Sequence, residues 1–180
     1  MVSQADRKVA GSMLRDLTPL LNPRSVAVIG ATPDPQRVGG RPLAFLMRFG
    51  FPGAIYPVNP KYDEVQGRKC YRSVIELPEQ VDMAVVAVPA DRVLDVLREC
   101  QEAGIPSLTV YTSGFSEMGT EGQRLEEELT ALAQREGTLI CGPNCQGVAN
   151  LNDHMVANFS STLLRAVSYT HLTLPTNREV

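Results

Sequence analysis

Gly30, Arg37, Gly39 and Lys61 are set out along the chain as a site that holds phosphate would need them. Gly30 closes the apolar run Ser25-Val-Ala-Val-Ile-Gly30, and the loop that follows, Ala31-Thr-Pro-Asp-Pro-Gln-Arg-Val-Gly-Gly40, is rich in Gly and Pro. Pro42 suits the first turn of a helix beginning just after it. A helix start that points back at a strand's end offers unpaired N–H groups and a positive dipole end to an anion. Gly30, Ala31 and Thr32 are placed to let the backbone approach a diphosphate closely. Arg37, with the helix start at Val38 and Gly39, adds charge and N–H donors. A phosphate-bearing ligand is expected at this loop, although the full three-glycine dinucleotide fingerprint is absent.

The next strand, Ala54-Ile-Tyr-Pro-Val58, bears on which ligand that is. Sheets that bind NAD carry an Asp or Glu at this strand's end to bond the ribose hydroxyls, and here the strand runs into Asn59-Pro60-Lys61. A lysine there suits a ligand whose ribose is itself phosphorylated. This favours coenzyme A, with NADP as the runner-up. Val58, Asn59 and Lys61 would surround the adenosine end, with Lys61 on the 3′-phosphate. Taken alone, Lys61 also reads as an ordinary solvated lysine.

The elements needed to position these residues follow from hydrophobic periodicity. Met13–Leu21 reads as a short leading helix ended by Pro23, and Pro42–Phe49 as the helix after the first strand, burying Leu43, Leu46 and Met47. Asp82–Val88 reads as an apolar strand and Asp91–Gly104 as a helix with Val93, Leu94, Val96 and Leu97 inside. Ser107–Tyr111 is the next strand. Glu121–Arg135 is a helix with an acidic outer face, and Leu139–Cys141 a short final strand running into Gly142-Pro-Asn144. Strands alternating with helices predict an α/β, Rossmann-like, doubly wound parallel sheet of about five strands, with the ligand across the strands' carboxyl ends.

Composition bounds the rest. A chain of 180 residues, 43% hydrophobic, holds one compact core. A net charge of -3 with scattered cations gives no basic stripe, so no nucleic-acid partner is expected. Met1–Leu21 has too many charges for a signal peptide or membrane span, which predicts a cytoplasmic protein without a membrane partner. The four cysteines, Cys70, Cys100, Cys141 and Cys145, show neither zinc spacing nor the density of a disulfide scaffold, so reduced thiols and no metal site are expected. His154 and His171 have no carboxylate or serine placed to make an evident catalytic group.

Together these segments carry a resemblance. Leu21-Asn-Pro-Arg-Ser-Val-Ala-Val-Ile-Gly-Ala31, Gly53-Ala-Ile-Tyr-Pro-Val-Asn-Pro-Lys61, Asp82-Met-Ala-Val-Val-Ala-Val-Pro-Ala90, Thr112-Ser-Gly-Phe-Ser-Glu117 and Gly142-Pro-Asn-Cys-Gln-Gly147 stand in a consistent order. From about Leu20 to Ser160 the chain resembles the N-terminal CoA-binding domain of NDP-forming acyl-CoA synthetases, relatives of the succinyl-CoA synthetase α subunit. The resemblance implies that Val88, Pro89 and Ala90 wall the site, that Ser113, Gly114 and Phe115 run along the pantetheine arm, and that Asn144 orients the thiol end. Turn chemistry for Pro89 and core packing for Phe115 are the competing readings.

Such enzymes pass phosphate from ATP, with Mg, to a histidine and on to the acid, giving an acyl phosphate that CoA cleaves. No segment here matches the phosphohistidine motif or the nucleotide-grasping region. The expectation is therefore a domain that binds CoA only and carries no catalytic residue. Its parent would be an acetate–CoA ligase of the ADP-forming kind, completed by downstream domains or a β-type subunit. Alternatives are a stand-alone CoA-binding regulatory module or the N-terminal domain of a protein lysine acetyltransferase, with an NAD(P)-dependent oxidoreductase last. The expected layout is a helical lead-in over 1–20, the CoA-binding domain over 21–166, and a tail over 167–180. That tail resembles a translated sequencing adapter and is read as non-native.

Overall fold

In a computed structural model of the chain, residues 15–160 are described. Strand β1 (Ser25–Ile29) is an interior strand of a parallel sheet, and all five of its residues are buried, as a strand covered on both faces requires. It pairs with β2 (Ala54–Val58) on one side, the chain having passed through helix α2 (Arg41–Arg48), and with β5 (Met83–Val86) on the other. A one-turn helix α1 (Thr18–Leu21) precedes β1. Helix α3 (Ala90–Glu102), β6 (Ser107–Val110), helix α4 (Thr120–Glu136) and β7 (Leu139–Cys141) complete the order β2-β1-β5-β6-β7, all parallel. This is the five-stranded, Rossmann-like α/β sheet expected from the alternating pattern.

Alternate residues of each strand feed separate cores. Ala27, Ile29, Ala84, Val86, Leu108 and Val110 pack with Val93, Leu97 and Cys100 of α3 and Leu129 and Leu132 of α4. Val26, Val28, Met83 and Val85 pack with Leu43 and Leu46 of α2. Each of those two leucines is fully buried, which stabilises the fold by roughly 2 kcal/mol apiece.

Several boundaries move. Of the leading helix expected over Met13–Leu21, the described part is helical only at Thr18–Leu21, where Pro19 occupies the first turn and the Thr18 N–H is held by Asp16 Oδ1 at 2.9 Å. The apolar strand shortens to Met83–Val86, because Val88 and Pro89 turn out of the sheet into α3. Leu139–Cys141 is not the last strand. A hairpin of β8 (Gly147–Asn150) and β9 (Met155–Asn158) follows and packs against α2, filling the sheet face opposite α3 and α4. A smaller hairpin, β3 (Glu64–Val65) with β4 (Arg68–Lys69), extends the connection after β2. The adapter-like tail over 167–180 and His171 lie outside the described residues.

Candidate functional site

The chain leaves β1 toward one edge of the sheet to form β2 and crosses to the other side for β5, so a crevice opens between the carboxyl ends of β1 and β5. Gly30 makes this geometry possible. Its φ of +84° is left-handed, and a Cβ there would collide with the Ala87 carbonyl of the neighbouring strand end. The N–H groups of Gly30 and Ala31 both reach the Val58 carbonyl, at 2.9 and 3.3 Å, so these two donors lace β1 to β2. Gly39 backs onto the Gly30 carbonyl with no room for a side chain. The loop is held from outside by Gln66, whose Nε2 donates to the carbonyls of Thr32 and Gly40 at 3.0 and 2.9 Å. Arg41 donates from Nη2 to the Gln36 carbonyl and from Nη1 to that of Phe159, at 2.6 and 2.7 Å.

The crevice proper is a cleft of about 400 Å³ that gathers Gly30, Val58, Asn59, Lys61, Val88 and Pro89 from the sequence-predicted set. It also gathers Arg72, Ser73, Arg92 and Glu99, which sequence reasoning passed over. Arg72 arrives there because Tyr71 bridges to Val58 at the end of β2, and Arg92 because it stands in the first turn of α3. Glu99 accepts the Ser73 hydroxyl proton at 3.1 Å. No spacing rule joins residues 61, 72 and 92; only the fold does.

Other predicted residues take different parts. Asn59 is a positioning residue: its Nδ2 donates to the Ala31 carbonyl at 2.9 Å and its Oδ1 accepts the Lys61 N–H at 3.0 Å. Arg37 and Val38 are exposed on the outer loop, with Arg37 3.6 Å from Asp34, and the Thr32 hydroxyl lies 3.4 Å from the Asp34 carbonyl. Ala90 begins α3 with its methyl group where a side chain at position 114 would stand, and the Thr112 hydroxyl donates to the Val88 carbonyl at 2.6 Å, so the loops after β5 and β6 meet. Ser113 is exposed beside them, and Glu117, drawn below the usual carboxylate range chiefly by the Gly114 N–H at 2.6 Å, fixes this turn. Asn144, at φ +54°, donates its N–H to the Thr112 carbonyl at 2.9 Å and is exposed. Phe115 corrects an expectation. Its side chain is fully buried with α3 and α4, so the ring is core and does not flank a ligand arm.

The thiols are poor nucleophiles where they are enclosed. Burial pushes Cys100 up to about 12, and burial followed by the neighbouring Cys141 pushes Cys145 up to about 11. Among the described residues no group of three His, Cys, Asp or Glu side chains could hold a metal ion, and no helix is long and apolar enough to cross a membrane.

Residues 24–150, which carry this crevice and every loop around it, match the family model described as a CoA binding domain. The chain belongs to the CoA-binding domain family. Among relatives of this CoA-binding domain, the α subunit of acetate–CoA ligase (ADP-forming) I from Pyrococcus furiosus is 43% identical over 150 residues, covering 81% of this chain and 32% of the relative. Acetate–CoA ligase (ADP-forming) II of Archaeoglobus fulgidus is 40% identical, over 86% of this chain and 23% of its own length. Among solved structures, the dinucleotide-forming acetyl-coenzyme A synthetase 1 of Candidatus Korarchaeum cryptofilum, in complex with phosphate and ADP, superposes with a TM-score of 0.76. It is 43% identical, over 80% of this chain and 31% of that one. The CoA-binding domain thus spans about a third or less of the length of these relatives.

Proposed function

We propose that the β1/β5 crevice binds coenzyme A and that the chain supplies this binding to an ADP-forming acid–CoA ligase. The observation that carries the reading is the end of β2, where Asn59 is consumed in holding the Gly30 loop and Lys61 lines the cleft. A ribose bearing a phosphate fits such an end, and a bare ribose diol finds no carboxylate on that strand. The diphosphate is assigned to the start of α2 and to the face of the Gly30–Thr32 turn, where the missing side chain of Gly30 permits close approach although the Gly30 and Ala31 N–H groups are spent on Val58; the 3′-phosphate is assigned to Lys61, and the pantetheine arm to Val88–Ala90 and Ser113–Gly114. The thiol end is assigned to Asn144. The names of the relatives support the wider role. In the whole ligase, acid, CoA and ATP give acyl-CoA, ADP and phosphate, with Mg accompanying the nucleotide and with further domains or a β-type subunit contributing the nucleophile.

Calorimetric titration of the full chain with CoA, dephospho-CoA, NAD and NADP tests this. CoA should bind tightest, and Lys61→Ala should weaken it about tenfold, about 1.4 kcal/mol. Tighter binding of NAD or NADP than of CoA overturns the reading.

A further inference from the structure

Lys61 is one of three cations at the cleft, and the other two have no role in the assignment above. Arg72 comes from the strand-like segment bridged to the end of β2, whereas Arg92 comes from α3, so cations approach from both the β2 and the α3 side. Among the described residues, none of Lys61, Arg72 and Arg92 stands within ion-pairing distance of a carboxylate; Arg48, Arg68, Lys69 and Arg124 share that state, but only these three are brought together to line one cleft. The one carboxylate that lines the cleft, Glu99, is engaged by the Ser73 hydroxyl.

Arg92 is also placed against local preference. It occupies the first turn of α3, where the dipole favours anions and where Asp91 is the residue that suits the position. A cation kept at a helix start, beside two more without partners, marks a site that stores positive charge for a ligand.

We infer that Arg72 and Arg92, with Lys61, form a receptor for the phosphomonoester of an adenosine 3′-phosphate, and that the two arginines set the preference for CoA over its dephosphorylated form. The inference rests on the CoA reading of the crevice and extends it to residues that no motif marks. Arginine presents paired donors to phosphate oxygens where lysine presents a point charge, so the arginines supply direction and Lys61 supplies field. The recognition unit is then the adenosine 3′,5′-bisphosphate head, which should bind without its pantetheine arm.

The test is titration of the full chain with CoA, dephospho-CoA and adenosine 3′,5′-bisphosphate, for the wild type and for Arg72→Gln, Arg92→Gln and the double variant. Arg124→Gln, on the exposed face of α4, is the control. Each single change should weaken CoA about tenfold while leaving dephospho-CoA unaltered, and the double variant should keep only the part of the preference for CoA that Lys61 supplies, about tenfold. Adenosine 3′,5′-bisphosphate should compete with CoA on the wild type and lose that competition on the double variant. Restoring charge with Arg92→Lys should recover part of the preference, which guards against a variant that merely misfolds. A double variant that keeps the wild-type preference for CoA overturns the arginine assignment alone. A wild-type chain that binds no CoA overturns the crevice reading beneath it.

Discussion

At the amino ends of β1, β5 and β6, Ser25, Asp82 and Ser107 are tied into a closed set of bonds, whereas at the carboxyl ends of β1 and β5 three cations line a cleft without a carboxylate partner among the described residues. Asp82 accepts the Arg24 N–H at 2.8 Å and the Arg24 Nε at 3.2 Å, its own N–H reaches Ser25 Oγ at 3.1 Å, and Ser107 Oγ lies 2.9 Å from the carbonyls of both Asp82 and Pro19. Both ends face loops and water, and both use short polar residues and arginines. The difference lies in where the partners come from. One end satisfies its groups within the chain and so contributes to folding; the other leaves them for a ligand and so contributes to binding.

That division can be broken most severely at Gly30. Gly30→Val forces a β-branched residue into φ +84° against the Ala87 carbonyl, and should lower the unfolding free energy by about 3 kcal/mol in urea denaturation as well as abolish CoA binding. Asp82→Asn sharpens the comparison from the opposite end. It should lower stability by about 1 kcal/mol at neutral pH and leave the Kd for CoA unchanged, the reverse of the pattern expected for Lys61→Ala.

The pH dependence of that cost has a definite sign. Burial pushes the Asp82 carboxyl up, but the hydrogen bonds and charge of Arg24 together outweigh it, and the folded value lies below the ordinary one. Its contribution is therefore fully present above the unfolded carboxylate value of about 4 and fades as pH falls through the folded value. Melts of wild type and Asp82→Asn should accordingly converge in acid and separate above about pH 4. The smallest effect is expected at Thr112→Val, which removes the bond to the Val88 carbonyl. A loss of about 0.5 kcal/mol in stability with a slight weakening of CoA would place this contact between the two ends in character.

The sheet was legible because its strands are short apolar runs bounded by Gly, Pro and Asn, and because α2, α3 and α4 repeat their buried residues at helical spacing. The two hairpins were not. β3 and β4 are two residues each and mostly polar, turning at Gln66 and Gly67 with φ of +51° and +77°. Gln is a poor advertisement for such a turn. β9 is buried at all four positions, so it lacks the alternation that announces a hairpin strand, though the repeated Val-Ala-Asn at 148–150 and 156–158, paired antiparallel, was a usable signal.

At the site, backbone roles could be read from glycine and from loop composition, while side-chain roles could not. Asn59, expected at the adenosine end, lines the cleft and also braces the Ala31 and Lys61 backbone, a second role that its type did not announce. Phe115 was placed along the pantetheine arm with core packing as the competing reading, and its side chain is buried in the core. Arg72 and Arg92 carried no signal at all, because their shared cleft is created by a strand bridge and a helix start far apart in sequence.

Arg41 joins the carbonyls of Gln36 and Phe159, so the turn that would receive a diphosphate and the segment just after β9 share a single guanidinium. Mechanically, it acts as a rivet between two plates. A pull on the backbone at Phe159, or a movement of the hairpin that ends there, is transmitted to the loop two short bonds away. The tautness of the Gly30–Gly40 loop is thus set partly by a residue 118 positions further along the chain.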